Sequence, residues 1–177
     1  NIFYLDRDPR ACAEQHCDKH VVKMVIETAQ LLSTAHRLLD GKEWTDKTAN
    51  NRRIKRWRLP DHREQHLYKA CHVNHPSNIW VRKTKTNYQW AHDFWRHLCT
   101  EFEKRYNTEH LTFRKLNNLL DKLPQKIDQY RYWEDPPQCM PDYCKTENTI
   151  EAYRNYYRNE KRSFAKWDRL NNTPAWF

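Results

Sequence analysis

Apolar positions recur at helical spacing along most of the chain. Val21, Val25, Thr28, Leu32, Ala35 and Leu39 fall three or four residues apart and predict an amphipathic helix from about 10 to 40. Asp8 before Pro9 suits its start, and Gly41 suits its stop. A second stripe, Trp80, Tyr88, Ala91, Trp95, Leu98 and Phe102, predicts a long aromatic helix from about 78 to 106, with Ser77 as its cap. Leu116, Leu119, Leu120 and Leu123 predict a shorter helix over about 112–122, capped by Thr112. Asn148 followed by Glu151 has the form of a capping box, and opens a last helix through "AYRNYYRNEKRSFAKW". The lead "NIFYLDRD" reads as an extended segment or a tucked-in arm, and the tail "NNTPAWF" as two aromatics docked on the body. No stretch alternates convincingly enough to predict a strand. The expected fold is all-α, a single compact helical domain over 1–177 with a short N-terminal arm and a basic insert at 42–70.

Composition changes this picture in four ways. Apolar residues are only 38%, but aromatics reach 14%, so a modest core can be built from large rings. Glycine occurs once, at Gly41, which argues against the Gly-rich phosphate loops of Rossmann and P-loop designs. Lys and Arg exceed Asp and Glu to give +9, a balance that favours a polyanionic partner. Six cysteines without a signal peptide or a membrane-length apolar run lead to the expectation of a reducing, cytoplasmic setting with free thiols.

Candidate chemistry concentrates in "HCDKHVVKMVIETAQLL", where Glu27 interrupts an apolar run. At 100° per residue, His16, His20, Lys23 and Glu27 share an arc of roughly 60° on the border of the apolar face. A border carboxylate is half-buried, as a catalytic acid/base requires; an ordinary Lys–Glu pair on a solvated face is the plainer alternative. His16, Cys17 and His20, and again Cys71, His72 and His75, have the residue types of a zinc site. Their spacing matches no standard finger and no CxxC pair is present, so neither metal nor cofactor is expected; helix capping or phosphate contact by His72 and His75 fits equally. The run "NNRRIKRWR" sets Arg52, Arg53, Lys55, Arg56 and Arg58 around Trp57, as a phosphate grip with a stacking ring does, or a solvated loop with a core-seeking Trp. Tyr153, Tyr156 and Tyr157 are spaced for core packing, with base stacking open to any that are exposed.

These motifs together resemble the phage pyrimidine-dimer DNA glycosylases of the endonuclease V type. That family carries an Asp-x-His step on its first helix with the catalytic Glu seven residues after the His, matched here by Asp18, His20 and Glu27. Its Glu-x-x-Lys-Arg step is matched by Glu101, Lys104 and Arg105, and its C-terminal aromatic-basic motif by "YRNYY", with one extra residue. The family begins with Thr where this chain has Asn1, and places arginines where this chain has Ile26 and Gln30. The resemblance implies a small basic helical enzyme acting on a damaged or modified pyrimidine in double-stranded DNA. The α-amino group of Asn1 would be the nucleophile at C1′, Glu27 the acid/base, and His20 a member of the site. An α-amine suits this role because its ordinary pKa, about 7.7–8.0, leaves a neutral fraction near pH 7. His16, Lys23, Arg52, Arg53, Lys55, Arg56, Trp57, Arg58, His72, His75, Tyr153, Tyr156 and Tyr157 are the expected DNA contacts of a monomer. Two alternatives stay open: a phage-type transferase on a thymine derivative, using His20, Glu27 and His75, and a non-catalytic nucleic-acid-binding module.

Overall fold

A computed structural model describes all 177 residues. The fold is mostly helical with a small two-stranded sheet. Helix α1 (Pro9–Glu14) leads into the central α2 (Asp18–Asp40). Strands β1 (Lys42–Lys47) and β2 (Arg53–Arg58) follow, then the short α3 (Arg63–His66), α4 (Pro76–Lys83), α5 (Lys85–Tyr106) and α6 (Leu111–Leu120). A 3₁₀ turn (Asp142–Cys144), α7 (Thr149–Tyr156) and a π-helical turn (Tyr157–Lys161) end the regular structure. No helix is long and apolar enough to cross a membrane.

Helices α2 and α5 form the antiparallel spine. The Tyr88 hydroxyl lies 2.8 Å from His36 Nε2, Trp95 donates to the Val25 carbonyl at 3.0 Å, and Arg105 reaches the start of α2. The predicted apolar stripes face each other across this pair. Rings fill the space between: Trp95, Tyr4, Tyr88, Tyr153, Tyr157 and Phe94 are the bulkiest fully buried side chains. The lead is the tucked-in arm. Ile2, Phe3, Tyr4 and Leu5 are all buried, which explains four apolar residues in succession rather than an alternation. Trp176 and Phe177 pack on the core as expected of the tail.

Both long predicted helices are broken, each at a place without proline or glycine. The first stops at Glu14 and restarts at Asp18. The carbonyls this frees are taken by distant donors: Arg105 reaches Glu14 O at 3.0 Å and His16 O at 2.7 Å, and Trp167 reaches Gln15 O at 3.0 Å. Arg105, buried and paired with Glu101 and Asp18, is thus a clamp on the helix junction. The second break is at Thr84, whose hydroxyl caps α5 at Asn87 N–H while the Asn87 amide caps the Trp80 carbonyl of α4. Capping at Asp8 and Asn148 is as read from the sequence. Ser77 and Thr112 are not caps; His75 and His110 are, each accepting through Nδ1 from the N–H two residues on.

The expectation of an all-α fold is corrected at 42–58, where the basic insert is an antiparallel β-hairpin with Lys42 opposite Arg58 and Lys47 opposite Arg53. Neither face of it joins the main core, so the hydrophobic alternation that marks a half-buried strand is missing. Buried Arg37 anchors its root, donating to the Trp57, Tyr68 and Leu67 carbonyls and to Glu64. Gly41 makes the turn from α2 into β1: a Cβ there would lie 2.4 Å from the Arg37 carbonyl oxygen.

Candidate active site

The N-terminal arm runs back along α2. Phe3 stacks on His20 with centroids 4.4 Å apart, which carries Asn1 to the level of Lys23 and Glu27. Here a cleft of about 290 Å³ opens, lined by Asn1, Lys23, Glu27, Gln30, Leu31, Cys71, His72, His75 and Asn78. Spacing along α2 explains its wall: residues 23, 27, 30 and 31 lie on one helical face.

Asn1 is held by its side chain. Its amide donates to the Cys139 carbonyl at 3.0 Å, while its Oδ1 accepts from Ile2 N–H at 2.8 Å and lies 3.1 Å from the Tyr153 hydroxyl, whose single proton is shared with the Pro137 carbonyl at 2.6 Å. Asn1 lines the cleft, and its amino nitrogen is close enough to Glu27 and Lys23 to feel both charges. Burial holds its pKa below the ordinary value; the Glu27 carboxylate opposes that shift and the Lys23 ammonium adds to it. The Glu27 side chain is 32% exposed and meets Lys23 Nζ at 3.3 Å, so it is half-buried as the border position predicted.

The opposite wall is the Cys71–His75 turn. Asn78 donates to the Cys71 carbonyl at 2.8 Å and to the His72 carbonyl at 3.2 Å, and His72 sits at φ 46°, the left-handed region. His75 Nδ1 accepts from Ser77 N–H at 3.1 Å. A nitrogen that accepts carries no proton, so the neutral ring bears its hydrogen on Nε2. Burial lowers the His75 pKa, the Asn1 ammonium and His72 push the same way, and Glu27 opposes them. The cleft therefore gathers an amine biased toward its neutral form, a carboxylate, and a neutral imidazole with a fixed tautomer.

Other expected residues lie elsewhere. His20 is buried, hydrogen-bonded to the Tyr157 hydroxyl, and about two turns or roughly 10 Å before Glu27 along α2. It is corrected from site residue to core residue. His16, Tyr153 and Tyr157 are fully buried and are likewise removed from the DNA contacts. Tyr153 instead positions Asn1. Tyr156 is half-buried, stacked on Phe3 with Lys161 over its ring at 4.4 Å. In the hairpin Arg52, Arg53, Lys55 and Arg58 are exposed, while Arg56 and Trp57 are half-buried. Lys55 pairs with Glu43 at 2.8 Å, and the Arg58 guanidinium lies 5.0 Å from the Trp44 ring. The two zinc-like clusters do not converge: no three His, Cys, Asp or Glu side chains are grouped to hold a metal ion.

Sequence reasoning missed Gln30, Leu31, Cys71 and Asn78 as cleft walls, and Ser77, Cys139 and Tyr153 as supports. Gln30 and Leu31 were within reach, three and four residues beyond Glu27; the supports of Asn1 come from far along the chain and leave no local signal. Three larger surface cavities, of about 400 Å³ beside His92, about 460 Å³ beside Trp44 and about 310 Å³ beside Glu101, do not have Asn1 in their walls. In comparison with known proteins, no family model, no curated protein and no solved structure matches the chain.

Proposed function

We propose that this protein is a DNA glycosylase with lyase chemistry, acting on a damaged or modified pyrimidine nucleotide of duplex DNA. The reading is carried by the convergence of the Asn1 α-amino group, Glu27 and His75 in one cleft. The amine lone pair attacks C1′, the bond from C1′ to the base breaks, and opening of the sugar ring leaves an imine between enzyme and DNA. The Glu27 carboxylate then takes the proton from C2′, and its electron pair expels the 3′ phosphate in β-elimination. Water hydrolyses the imine and frees the amine. His75 donates from Nε2 to the ring oxygen or the departing base. The half-open cleft admits an extruded nucleotide, because C1′ chemistry needs access that a closed duplex denies. The net charge of +9 supplies non-specific affinity for the phosphate backbone. Partial burial of the amine lowers its pKa and so raises its neutral, nucleophilic fraction near pH 7.

Borohydride trapping on a duplex containing one abasic site tests this. The expected product is a covalent adduct whose intact mass and peptide map place the DNA on the Asn1 nitrogen. No adduct, or one on Lys23, sinks the proposal, and the same spectrum reports whether Asn1 is free in the native protein. A transferase acting on a thymine base would give no trapped species. Its expected trio is not assembled in this fold, since His20 lies in the interior away from Glu27 and His75.

A further inference from the structure

The hairpin departs from what an isolated ribbon would favour. Seven Lys and Arg stand against Glu43 and Asp46 between positions 42 and 58, so more than half of the net +9 sits in this arm. The register makes matters worse for the ribbon alone. Lys42 lies opposite Arg58 and Lys47 opposite Arg53, and directly facing like charges destabilise a strand pair.

The two faces differ. Trp44, Asp46 and Arg56, with Trp57 at the root, line a small cavity against Arg37, Glu64 and Lys69 of the body, and Asp46 meets Arg56 at 3.6 Å. The other face shows Thr45, Lys47, Arg53 and Lys55 to solvent, with Arg52 at the turn. Lys47, Arg52 and Arg53 are exposed and make no ion pair or side-chain hydrogen bond. Cations set opposite one another and left unpaired on a projecting ribbon are accounted for by a polyanion that neutralises them together. A two-stranded ribbon has the width that the major groove of a duplex, about 12 Å, admits. Gly41, at the root, lies 14 residues beyond Glu27, or roughly 20 Å along the helix axis. That span is about six base pairs at 3.4 Å each, a little over half a helical turn.

We propose that the β1–β2 ribbon occupies the major groove of duplex DNA about half a turn from the nucleotide held in the cleft, with Lys47, Arg52 and Arg53 on the phosphates. This rests on the reading of the cleft as a nucleotide site, and makes the arm a second contact that sets register on the duplex.

The test uses the full chain and a 25-base-pair duplex with one non-cleavable abasic analogue. Affinity is measured from 50 to 200 mM KCl for the wild type, for Glu27→Gln and for the triple variant Lys47→Ala, Arg52→Ala, Arg53→Ala. Dimethyl sulfate footprinting reads guanine N7, which faces the major groove. The wild type and Glu27→Gln should protect guanines five to seven base pairs to one side of the analogue. The triple variant should lose that protection, bind at least tenfold more weakly at 50 mM, and show a salt slope smaller by about 2–3. An unchanged slope, or a reduced slope without N7 protection in the wild type, overturns the groove placement, as does failure of the wild type to bind duplex. Groove protection without any borohydride-trapped adduct would leave the ribbon standing and sink the cleft chemistry alone. Circular dichroism of the triple variant checks that its fold is intact, as the exposure of the three side chains predicts.

Discussion

Two histidine-bearing stretches, "HCDKH" at 16–20 and "CHVNH" at 71–75, have nearly the same composition and opposite fates. The first begins α2, where its histidines fall on the face covered by the arm and the C-terminal turn. His20 is sandwiched between Phe3 and Phe164, and His16 packs on Phe94. The second is a turn held open by Asn78, and its histidines line a cleft. Burial therefore drives the first pair far from ordinary imidazole behaviour, to about 4 for His16 and about 3 for His20. His75 is only half-buried; burial lowers its pKa too, and there the Glu27 carboxylate opposes the shift. Residue type supplies the same chemistry to both stretches, and packing decides which becomes structure and which remains available.

The sharpest way to break the comparison is at the cleft. Glu27→Gln should lower the lyase rate on abasic duplex by about 10²–10⁴-fold, the range for a general acid–base. Its urea midpoint should barely move, since the Lys23 pair is worth a few tenths of a kcal/mol on a half-exposed face. A rate within threefold of wild type would make Glu27 a surface residue after all.

Acid should strike the other stretch. His16, His20 and also His36, lowered to about 4, have folded pKa values below the unfolded value near 6.5. The unfolded chain then binds more protons between about pH 6.5 and 4, so stability is full above 6.5 and is lost as pH falls through this window. Each histidine contributes up to about 1.4 kcal/mol per pH unit, and the three together about 4. Urea unfolding at half-unit steps from pH 7 to 4.5 measures the slope. A flat profile would mean that these rings are not buried as neutral groups.

His75 divides into two roles that substitution can separate. His75→Asn keeps an acceptor for the Ser77 N–H and removes the Nε2 donor, so activity should fall about 10²-fold, the low end for a general acid, with stability almost unchanged. His75→Ala should lose the cap as well, costing a further 0.5–2 kcal/mol of stability, roughly. Equal stability of the two variants would show that the Nδ1 contact does not hold the helix.

Tyr153→Phe is the finest probe, since it removes one hydroxyl between core and cleft. Loss of that hydrogen bond should cost about 1 kcal/mol and lower the yield of trapped adduct a few-fold, because Asn1 Oδ1 loses a partner. A stability change without any change in trapping would confine Tyr153 to the core.

Much of the fold was legible because its helices are amphipathic. Periods of three and four placed α2, α5 and α6, and Asp8, Gly41 and Asn148 set three of the ends. The break at Gln15–Cys17 was not legible, because the groups that satisfy its freed carbonyls, Arg105 and Trp167, lie far along the chain; the break at Thr84, capped locally by Thr84 and Asn87, was masked by an apolar stripe that runs on through it. The hairpin was hidden for a different reason: both of its faces are polar, so no alternation reports it.

The chain's own order thus determined a helical protein with a ring-rich core, an excess of cations, and a carboxylate on the border of α2. Those properties follow from side-chain chemistry and local period, which need no knowledge of distant neighbours. Tertiary structure alone decided that Asn1 shares a cleft with Glu27, that His75 rather than His20 lines it with them, and that Tyr153 is buried beside Asn1 rather than exposed. Each of these depends on contacts between residues tens to more than a hundred positions apart, and local periodicity carries no information about such pairs.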